Sequence, residues 1–391
     1  MSVLQRIIVI VLDGVGAGEA PDAHAYGDEG SNSLANTARA IGGLKMPHMM
    51  ELGLGYITPI LGVPPVDSPK GAYGKMQPQS AGKDTISGHW ELMGIHLPTP
   101  LPTYPEGFPP EVIEEFTRRT GLEILGNKPA SGTEIIKELG VEHMRTGKPI
   151  VYTSADSVFQ IAAHEEIIPI EQLYRLCQVS REMLTGPHAV GRVIARPFLG
   201  SAPENFWRTE HRRDFPLLPS SKTMLEKLVE AGYQVFSVGK IDDIFAHRGI
   251  THSNHTTNNH DSLLALQEAL SEDFSGVLFA NLIEFDMIFG HRNDPAGYAA
   301  ALEKVDESVP EIQRRMKPSD IAMFVADHGV DPTTPSTDHS REYVPLLVFG
   351  PAVKSGNLGT RETFADVAAT IAEAFSLTPP LLGKSFLKEV F

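Results

Sequence analysis

Cysteine is nearly absent from this chain of 391 residues: Cys177 stands alone. One thiol excludes an intrachain disulfide and any metal cage built on several thiolates. Cys177 itself lies in a helical pattern and reads as a small core residue. Positive charge is also short. Against 49 Asp and Glu there are 33 Lys and Arg, the formal net charge is −16, and no long basic run interrupts the acidity. Such a chain makes a poor nucleic-acid binder and lacks a basic amphipathic segment for a membrane surface. An anionic substrate would have to be met by local Arg, Lys or metal ions. Long apolar runs are missing too. The run after Arg6 stops at Asp13, too early for a secretory signal, and no segment has the apolar length of a transmembrane helix. The expectation is a soluble cytoplasmic protein with no nucleic-acid, membrane or obligate protein partner.

What is present is a repeated device: an apolar strand that ends in an acid. Ile321-Ala322-Met323-Phe324-Val325 runs into Ala326-Asp327-His328-Gly329, with His339 further on. Adjacent strand residues point to opposite faces, so Asp327 and His328 can share a site only where strand gives way to loop. Gly329 is expected to supply that freedom. Arg6-Ile7-Ile8-Val9-Ile10-Val11-Leu12 is β-branched in the manner of a buried parallel strand and ends at Asp13-Gly14-Val15-Gly16. Val277-Leu278-Phe279-Ala280-Asn281-Leu282-Ile283 ends at Glu284-Phe285-Asp286, with His291 following. One such aspartate alone is a helix cap or a turn former. Three, two of them near histidines, point to one site outside the carboxyl ends of a parallel sheet.

Length and punctuation divide the chain. At 391 residues two domains are expected. Leu97-Pro98-Thr99-Pro100-Leu101-Pro102-Thr103-Tyr104-Pro105 is a stiff, extended connector and marks the first boundary. Beyond it, helices are expected over 110–120 and 170–184 and strands over 150–154 and 190–195, a small α/β or α+β unit. A loop rich in Pro, Arg and aromatics follows over 196–219, and Ser220-Ser221 is placed to cap a helix ending at Ala231. From there α/β alternation resumes, with strands over 233–238, 276–283, 321–326 and 344–350. Helices are expected over 261–271, after Asp294-Pro295, and over 362–375. The metal-type residues fall on both sides of the Pro-rich segment: Asp13 before it, the rest after residue 220. One sheet domain, 1–97 with 221–391, interrupted by an inserted cap, 98–220, accounts for this. A cap beside a catalytic sheet edge can close over a substrate and exclude water.

Aspartate oxygens and imidazole nitrogens suit Mn²⁺ or Zn²⁺ better than an all-oxygen Mg²⁺ or Ca²⁺ cage. Two such ions can stabilise the entering and leaving oxygens of a displacement. A nucleophile is then needed. Ser80-Ala81-Gly82-Lys83-Asp84-Thr85-Ile86-Ser87-Gly88-His89 places alcohols after small flexible residues and before a helix, whose first amides would favour a phosphate. The pattern leaves Ser80, Thr85 and Ser87 open. His89 reads as a supporting residue, and the histidine-rich tract from His247 to His260 as a polar loop.

Together these segments resemble the phosphopentomutases of the prokaryotic, manganese-dependent type, within the alkaline phosphatase superfamily. The matching elements are Val11-Leu12-Asp13-Gly14-Val15-Gly16, Gly82-Lys83-Asp84-Thr85, Glu284-Phe285-Asp286, His291, Ala326-Asp327-His328-Gly329 and His339, over nearly the whole length. The resemblance implies an α/β fold: an alkaline-phosphatase-like core with a mixed, mostly parallel sheet between helices, plus the smaller α/β (α+β) cap domain. It implies that Thr85 carries phosphate and also contacts metal. It gives one Mn²⁺ to Asp13, Asp327 and His328, and a second to Asp286, His291 and His339. The implied isomerase interconverts α-D-ribose 1-phosphate and D-ribose 5-phosphate, and the 2-deoxyribose pair, through a 1,5-bisphosphate. A sugar bisphosphate, glucose 1,6-bisphosphate or ribose 1,5-bisphosphate, would prime it.

The cap motif Thr153-Ser154-Ala155-Asp156-Ser157-Val158-Phe159-Gln160 also matches and makes Ser154 and Asp156 candidates for sugar hydroxyls. Arg192 and Arg196 in one segment, Arg208 in another and Lys240 on the sheet domain suit a distal phosphate. One departure is His211-Arg212-Arg213-Asp214, where the family pattern has Asn-Arg-His-Asp, which puts roles for His211 and Arg213 in doubt. The rival within the superfamily is a metal-dependent phosphomonoesterase, with water as acceptor. A cofactor-independent phosphoglycerate mutase would be longer and use serine, and a non-catalytic sugar-phosphate sensor would lack a ligand or the nucleophile.

Overall fold

All seven residues of the first strand, β1 (Arg6–Leu12), are buried, as a β-branched run in a sheet covered on both faces must be. The computed structural model describes residues 4–154 and 156–391. One further strand, β2 (Ala72–Met76), precedes residue 100. Six lie between residues 101 and 218: β3 (Leu125–Pro129), β4 (Ile150–Thr153), β5 (Val158–His164), β6 (Arg192–Leu199), β7 (Trp207–Arg208) and β8 (Arg213–Pro216). Six follow: β9 (Gln234–Val238), β10 (His252–Asn254), β11 (Gly276–Leu282), β12 (Asp320–Val325), β13 (Val344–Phe349) and β14 (Gly356–Arg361). The chain divides into two compact units, the first formed by residues up to Pro100 with Pro219–Phe391, the second by Leu101–Leu218.

The first unit is built on a sheet ordered β10-β9-β11-β1-β12-β13-β2-β14. Every neighbouring pair is parallel except the two made by β13, so the sheet is mixed and mostly parallel. Its helices form two packed groups. One contains Ser33–Ile41, Pro47–Leu52, Asn259–Ser271 and Pro295–Arg315; the other contains Thr85–Leu92, Met224–Glu230, Ile241–Ile244 and Asp366–Ala374. At the amino end of the central strands, Arg6 is fully buried and paired with Asp320 at 2.5 Å, and its guanidinium also donates to the carbonyls of Leu270 and Glu272. The pair therefore ties β1 to β12 and to the end of the Asn259–Ser271 helix.

The second unit carries the sheet β3-β4-β5-β6-β7, with β8 also paired to β6. Phe108, Phe116, Phe159, Val193 and Cys177 form its larger apolar cluster, where Cys177 is a buried free thiol. Ile135, Tyr152 and Phe198 belong to a smaller one.

Several boundaries differ from the sequence expectation. The helix after residue 220 begins at Met224, and its cap is Thr223, not Ser220 or Ser221. Thr223 and Glu226 form a reciprocal capping box, which satisfies more backbone donors than a lone serine would. The strand expected over 190–195 runs to Leu199 because it pairs β5 on one side and β7 and β8 on the other. The last long helix starts at Asp366 instead of 362. Among the described residues no helix is long and apolar enough to cross a membrane.

Candidate metal centre

Strand order explains why the aspartates meet. β1 lies between β11 and β12, parallel to both, with Leu12 in register with Leu282 and Val11 with Val325. All three chains therefore leave the sheet side by side at their carboxyl ends. The Asp13 amide donates to the Leu282 carbonyl, the Gly14 amide to Asp327 Oδ1 at 3.1 Å, and the Val330 amide back to the Gly14 carbonyl. Gly329 does not supply the freedom expected of it; the left-handed residue is Gly14, at φ +80°. Gly329 is needed for space, since a Cβ there would lie 2.5 Å from Glu342 Oε1. After β11 the backbone forms a π-turn, Phe285–Phe289, then a 3-10 turn, Gly290–Arg292, which carry Asp286 and His291. His339 returns to the site through paired backbone bonds between Gly329 and Ser340, and its ring centroid lies 4.1 Å from that of His328.

The side chains converge on two overlapping groups, Asp286 with His291 and His339, and Asp13 with Asp286 and His328, each with ligand atoms within 4.8 Å of one another. Asp286 Oδ1 is 3.2 Å from His291 Nε2 and 3.1 Å from His339 Nε2. His328 Nε2 is 3.4 Å from Asp13 Oδ1 and 3.3 Å from Asp327 Oδ2. Those three carboxylate oxygens are buried and have no aligned hydrogen-bond donor among the described residues. Their partner oxygens on Asp13 and Asp327 are taken, by Asn281 Nδ2 and the Gly14 amide. The Nδ1 atoms of His328 and His291 face the carbonyls of Gly329 and Thr337, which leaves Nε2 for the site.

Such a cluster demands positive charge. Burial pushes the Asp13 carboxyl up, and the Asp327 carboxylate adds to the effect. Burial acts the same way on Asp286, but the imidazoles of His291 and His339 hold it well below the usual carboxylate range. Asp286 in turn raises His291 to about 9. Burial opposes protonation of His328, yet Asp327 and Asp13 raise its pKa well above the ordinary value. The same field of carboxylates that raises the His291 and His328 pKa values would favour a divalent cation. The orphaned buried oxygens and the Nε2 atoms that face them form a mixed O/N donor set, so these residues fit a metal centre.

Geometry also separates the three candidate alcohols. Ser80 is buried, and its Oγ accepts from the Leu97 amide. Ser87 Oγ donates to Asp84 Oδ2 at 2.6 Å. Thr85 Oγ1 alone faces the cluster, 3.3 Å from His328 Nε2. Thr85 opens the helix Thr85–Leu92, whose cap is Asp84. The amides that sequence reasoning offered to a phosphate are not free, because Asp84 Oδ1 accepts from both Ile86 and Ser87. His89, one turn on, lies fully buried with Nδ1 2.9 Å from the Thr85 carbonyl and 3.1 Å from Asp327 Oδ2. It supports both the nucleophile's turn and a carboxylate of the cluster.

In the second unit, Ser154 follows β4, Asp156 precedes β5, Arg192 opens β6, and Arg208 lies on β7 beside β6. Ala155 of the quoted motif lies outside the described residues. Arg192 is 3.9 Å from Asp156 and 3.5 Å from Asp214. Arg196, held by Gln160 Oε1 at 3.0 Å, shares its surroundings with Arg208, Arg212 and the Tyr152 hydroxyl; burial first, then these cations, lower its pKa. Tyr152, whose buried hydroxyl has no hydrogen-bond partner among the described residues, was not singled out from the sequence. By register Tyr152 faces Gln160 on β5, which lies between β4 and the arginine-bearing β6. His211 pairs with Glu165 and Arg213 stacks on Tyr174 and Phe215, contacts internal to this unit. In the first unit Lys240 follows β9, with Nζ 3.4 Å from the sulfur of Met287, next to Asp286. The histidine-rich tract is engaged locally: His247 with Asp242, His255 with Asp243, and His252 stacked on Phe236.

Two residues that sequence reasoning missed support the centre. Glu342 is buried and accepts from the Gly18 and Ser33 amides and from the hydroxyls of Ser33 and Ser340, joining the segments that carry Asp13, His328 and His339. Burial raises its pKa to about 7. Arg341 beside it is equally buried and reaches the loop before Thr85. The signal was available: Arg and Glu follow Ser340 directly and precede an apolar strand, where charged residues are rarely buried without partners.

The geometry agrees with what the chain is similar to. The profile of the metalloenzyme superfamily matches residues 5–379. A phosphopentomutase from Herpetosiphon aurantiacus is 63% identical over 388 residues, covering 99% of each chain. One from Caldanaerobacter subterraneus subsp. tengcongensis is 61% identical, covering 99% of this chain and 98% of the relative. Among solved structures, a phosphoglycerate mutase from Leishmania mexicana aligns at a TM-score of 0.50 with 12% identity over 98% of both chains, a likeness of fold alone. The chain therefore belongs to the phosphopentomutase family, isomerases of the metalloenzyme superfamily with an alkaline-phosphatase-like fold.

Proposed function

We propose that this chain interconverts α-D-ribose 1-phosphate and D-ribose 5-phosphate, and the corresponding 2-deoxyribose phosphates, through a phosphothreonine at Thr85. The observation that carries this reading is the Thr85 hydroxyl at 3.3 Å from His328 Nε2, in a chain 63% identical to a protein named phosphopentomutase. We assign one Mn²⁺ to Asp13, Asp327 and His328 and a second to Asp286, His291 and His339, with Thr85 shared. When bound there, the cations supply Lewis acidity that favours an ionised alcohol and stabilises charge on a transferring phosphoryl group.

The chain's own residues supply placement. Asp84 and Gly88 hold the turn that aims Thr85 Oγ1, and His89 braces that turn against Asp327. Thr85 takes its first phosphoryl group from a sugar bisphosphate, glucose 1,6-bisphosphate or ribose 1,5-bisphosphate; the P–O bond to the sugar breaks as the bond to Oγ1 forms. The group then passes to the free hydroxyl of the sugar monophosphate and yields a 1,5-bisphosphate. This intermediate turns around and returns its other phosphate to Thr85. We assign Ser154 and Asp156 to the sugar hydroxyls, and Arg192, Arg208 and Lys240 to the distal phosphate, which bidentate and point-charge cations suit. These partners are small sugar phosphates, and the cytoplasm is the expected compartment.

Supplying ribose 1-phosphate to the manganese-loaded protein, and following both ribose 5-phosphate and free phosphate, tests the reading. Ribose 5-phosphate with little free phosphate is expected. Free phosphate alone would instead identify a phosphomonoesterase.

A further inference from the structure

The segment that delivers Thr85 to the centre, residues 78–82, has no regular secondary structure. Loops of that kind usually leave backbone groups to water. This one leaves no carbonyl free. The Arg341 guanidinium donates to the carbonyls of Pro78 at 3.1 Å, Ser80 at 2.6 Å and Gly82 at 3.1 Å. The Tyr26 hydroxyl donates to the Ala81 carbonyl, and His96 Nε2 lies 3.2 Å from that of Gln79. The amides of Gln79 and Ser80 donate to the buried Glu91 carboxylate, on the helix that Thr85 begins.

Arg341 is itself over-determined. Its side chain is 3% exposed, pairs with Asp22, and lies 4.9 Å from the Tyr26 ring. Its amide donates to Asp28 Oδ2, and Asp28 also holds Lys83, two residues before Thr85. Only Ser340 separates Arg341 from His339. One planar cation thus spans the histidine-bearing segment and three carbonyls of the nucleophile-bearing loop. A lysine at this position is a point charge and cannot serve three divergent acceptors and a carboxylate together.

We propose that Arg341 is a positioning residue for phosphoryl transfer: it fixes the Pro78–Gly82 backbone against the His339 segment and so sets where the Thr85 hydroxyl stands. The proposal rests on the reading of Thr85 as the phosphate carrier. The Arg341 guanidinium bonds to Asp22 and to the loop carbonyls, and not to the clustered carboxylates or imidazoles or to Thr85 Oγ1, so its loss acts on the chemical step through placement. Misplacing a reacting atom by about 1 Å can cost about 100-fold in rate.

The test compares Arg341→Ala and Arg341→Lys with wild type and with Thr85→Ala, all manganese-loaded, for kcat, KM, bound metal and melting temperature. For Arg341→Ala, kcat falls about 100-fold while KM stays within about 3-fold and metal content is unchanged. Sub-denaturing guanidinium restores at least about 10-fold of the lost kcat, whereas sodium chloride of equal ionic strength does not. Arg341→Lys falls between wild type and Arg341→Ala. Turnover near wild type in Arg341→Ala overturns the proposal. A loss that tracks metal or folding in both variants, or that guanidinium leaves untouched, overturns it too and makes Arg341 a structural residue. Activity in Thr85→Ala would instead overturn the underlying reading, whatever the Arg341 variants do.

Discussion

An alcohol is a poor nucleophile at neutral pH, so Thr85 depends on what surrounds its oxygen. Removing that oxygen should leave the rest of the centre in place, because its contact with His328 Nε2 is long at 3.3 Å and that ring is also held through Nδ1 at the Gly329 carbonyl. Thr85→Ala is expected to keep its fold and metal content and to lose kcat by at least about four orders of magnitude, as for other covalent nucleophiles; measuring both on one preparation checks this. Glu342 makes a different prediction. Its folded pKa of about 7 lies above the ordinary 4.5, so the folded state binds the extra proton between those values. Stability is then lost as pH rises from about 4.5 to about 7, by up to roughly 3 kcal/mol at about 1.4 kcal/mol per unit. Glu342→Gln lacks this term. Its oxygen can still accept from the Gly18 and Ser33 amides while its amide faces the two serine hydroxyls. The difference in melting temperature between variant and wild type, in metal-free buffer, should therefore shift in favour of the variant from pH 5 to about 8; a constant difference would place the titration elsewhere.

At the scale of elements, the helix Thr85–Leu92 packs so closely on the end of β12 that a Cβ on Gly88 would lie 2.0 Å from the Asp327 carbonyl oxygen. That approach sets the distance between the nucleophile and the centre. Gly88→Ala must push helix and strand end apart, and we expect kcat to fall about 100-fold with the melting temperature also lowered; kinetics and a thermal melt on the variant decide it. The strands ending in Asp13, Asp286 and Asp327 were legible because continuous β-branched and apolar runs admit few alternatives. β2 and β14 were not, since Gly74, Gly356 and Gly359 dilute their pattern and their pairing is long-range. The turn that brings Asp286 and His291 together was equally hidden, because a π-turn has no periodicity of its own. On the residue pattern alone Thr85, Ser80 and Ser87 were equivalent; the family resemblance pointed to Thr85, and hydrogen bonds with Leu97 and Asp84 set the other two apart.

For the whole molecule, the acidic centre makes cation binding and folding one equilibrium. Without cations, His291 stabilises the fold through Asp286, a contribution complete below its ordinary 6.5 and lost as pH rises through about 9. Bound cations replace those protons and need the ligands deprotonated. Chelation should therefore lower the melting temperature, and by more at pH 9 than at pH 6.5; an equal effect at both pH values would mean that these histidines are not ligands. The central claim is that a phosphoryl group resides on Thr85 during turnover. Intact-protein and peptide mass spectrometry, after exposure to ribose 1,5-bisphosphate and removal of excess, tests it most directly. One phosphoryl group is expected, located on Thr85, lost on addition of ribose 5-phosphate, and absent from Thr85→Ala. A phosphoryl group on another residue, or none in a protein that still forms ribose 5-phosphate, would contradict it.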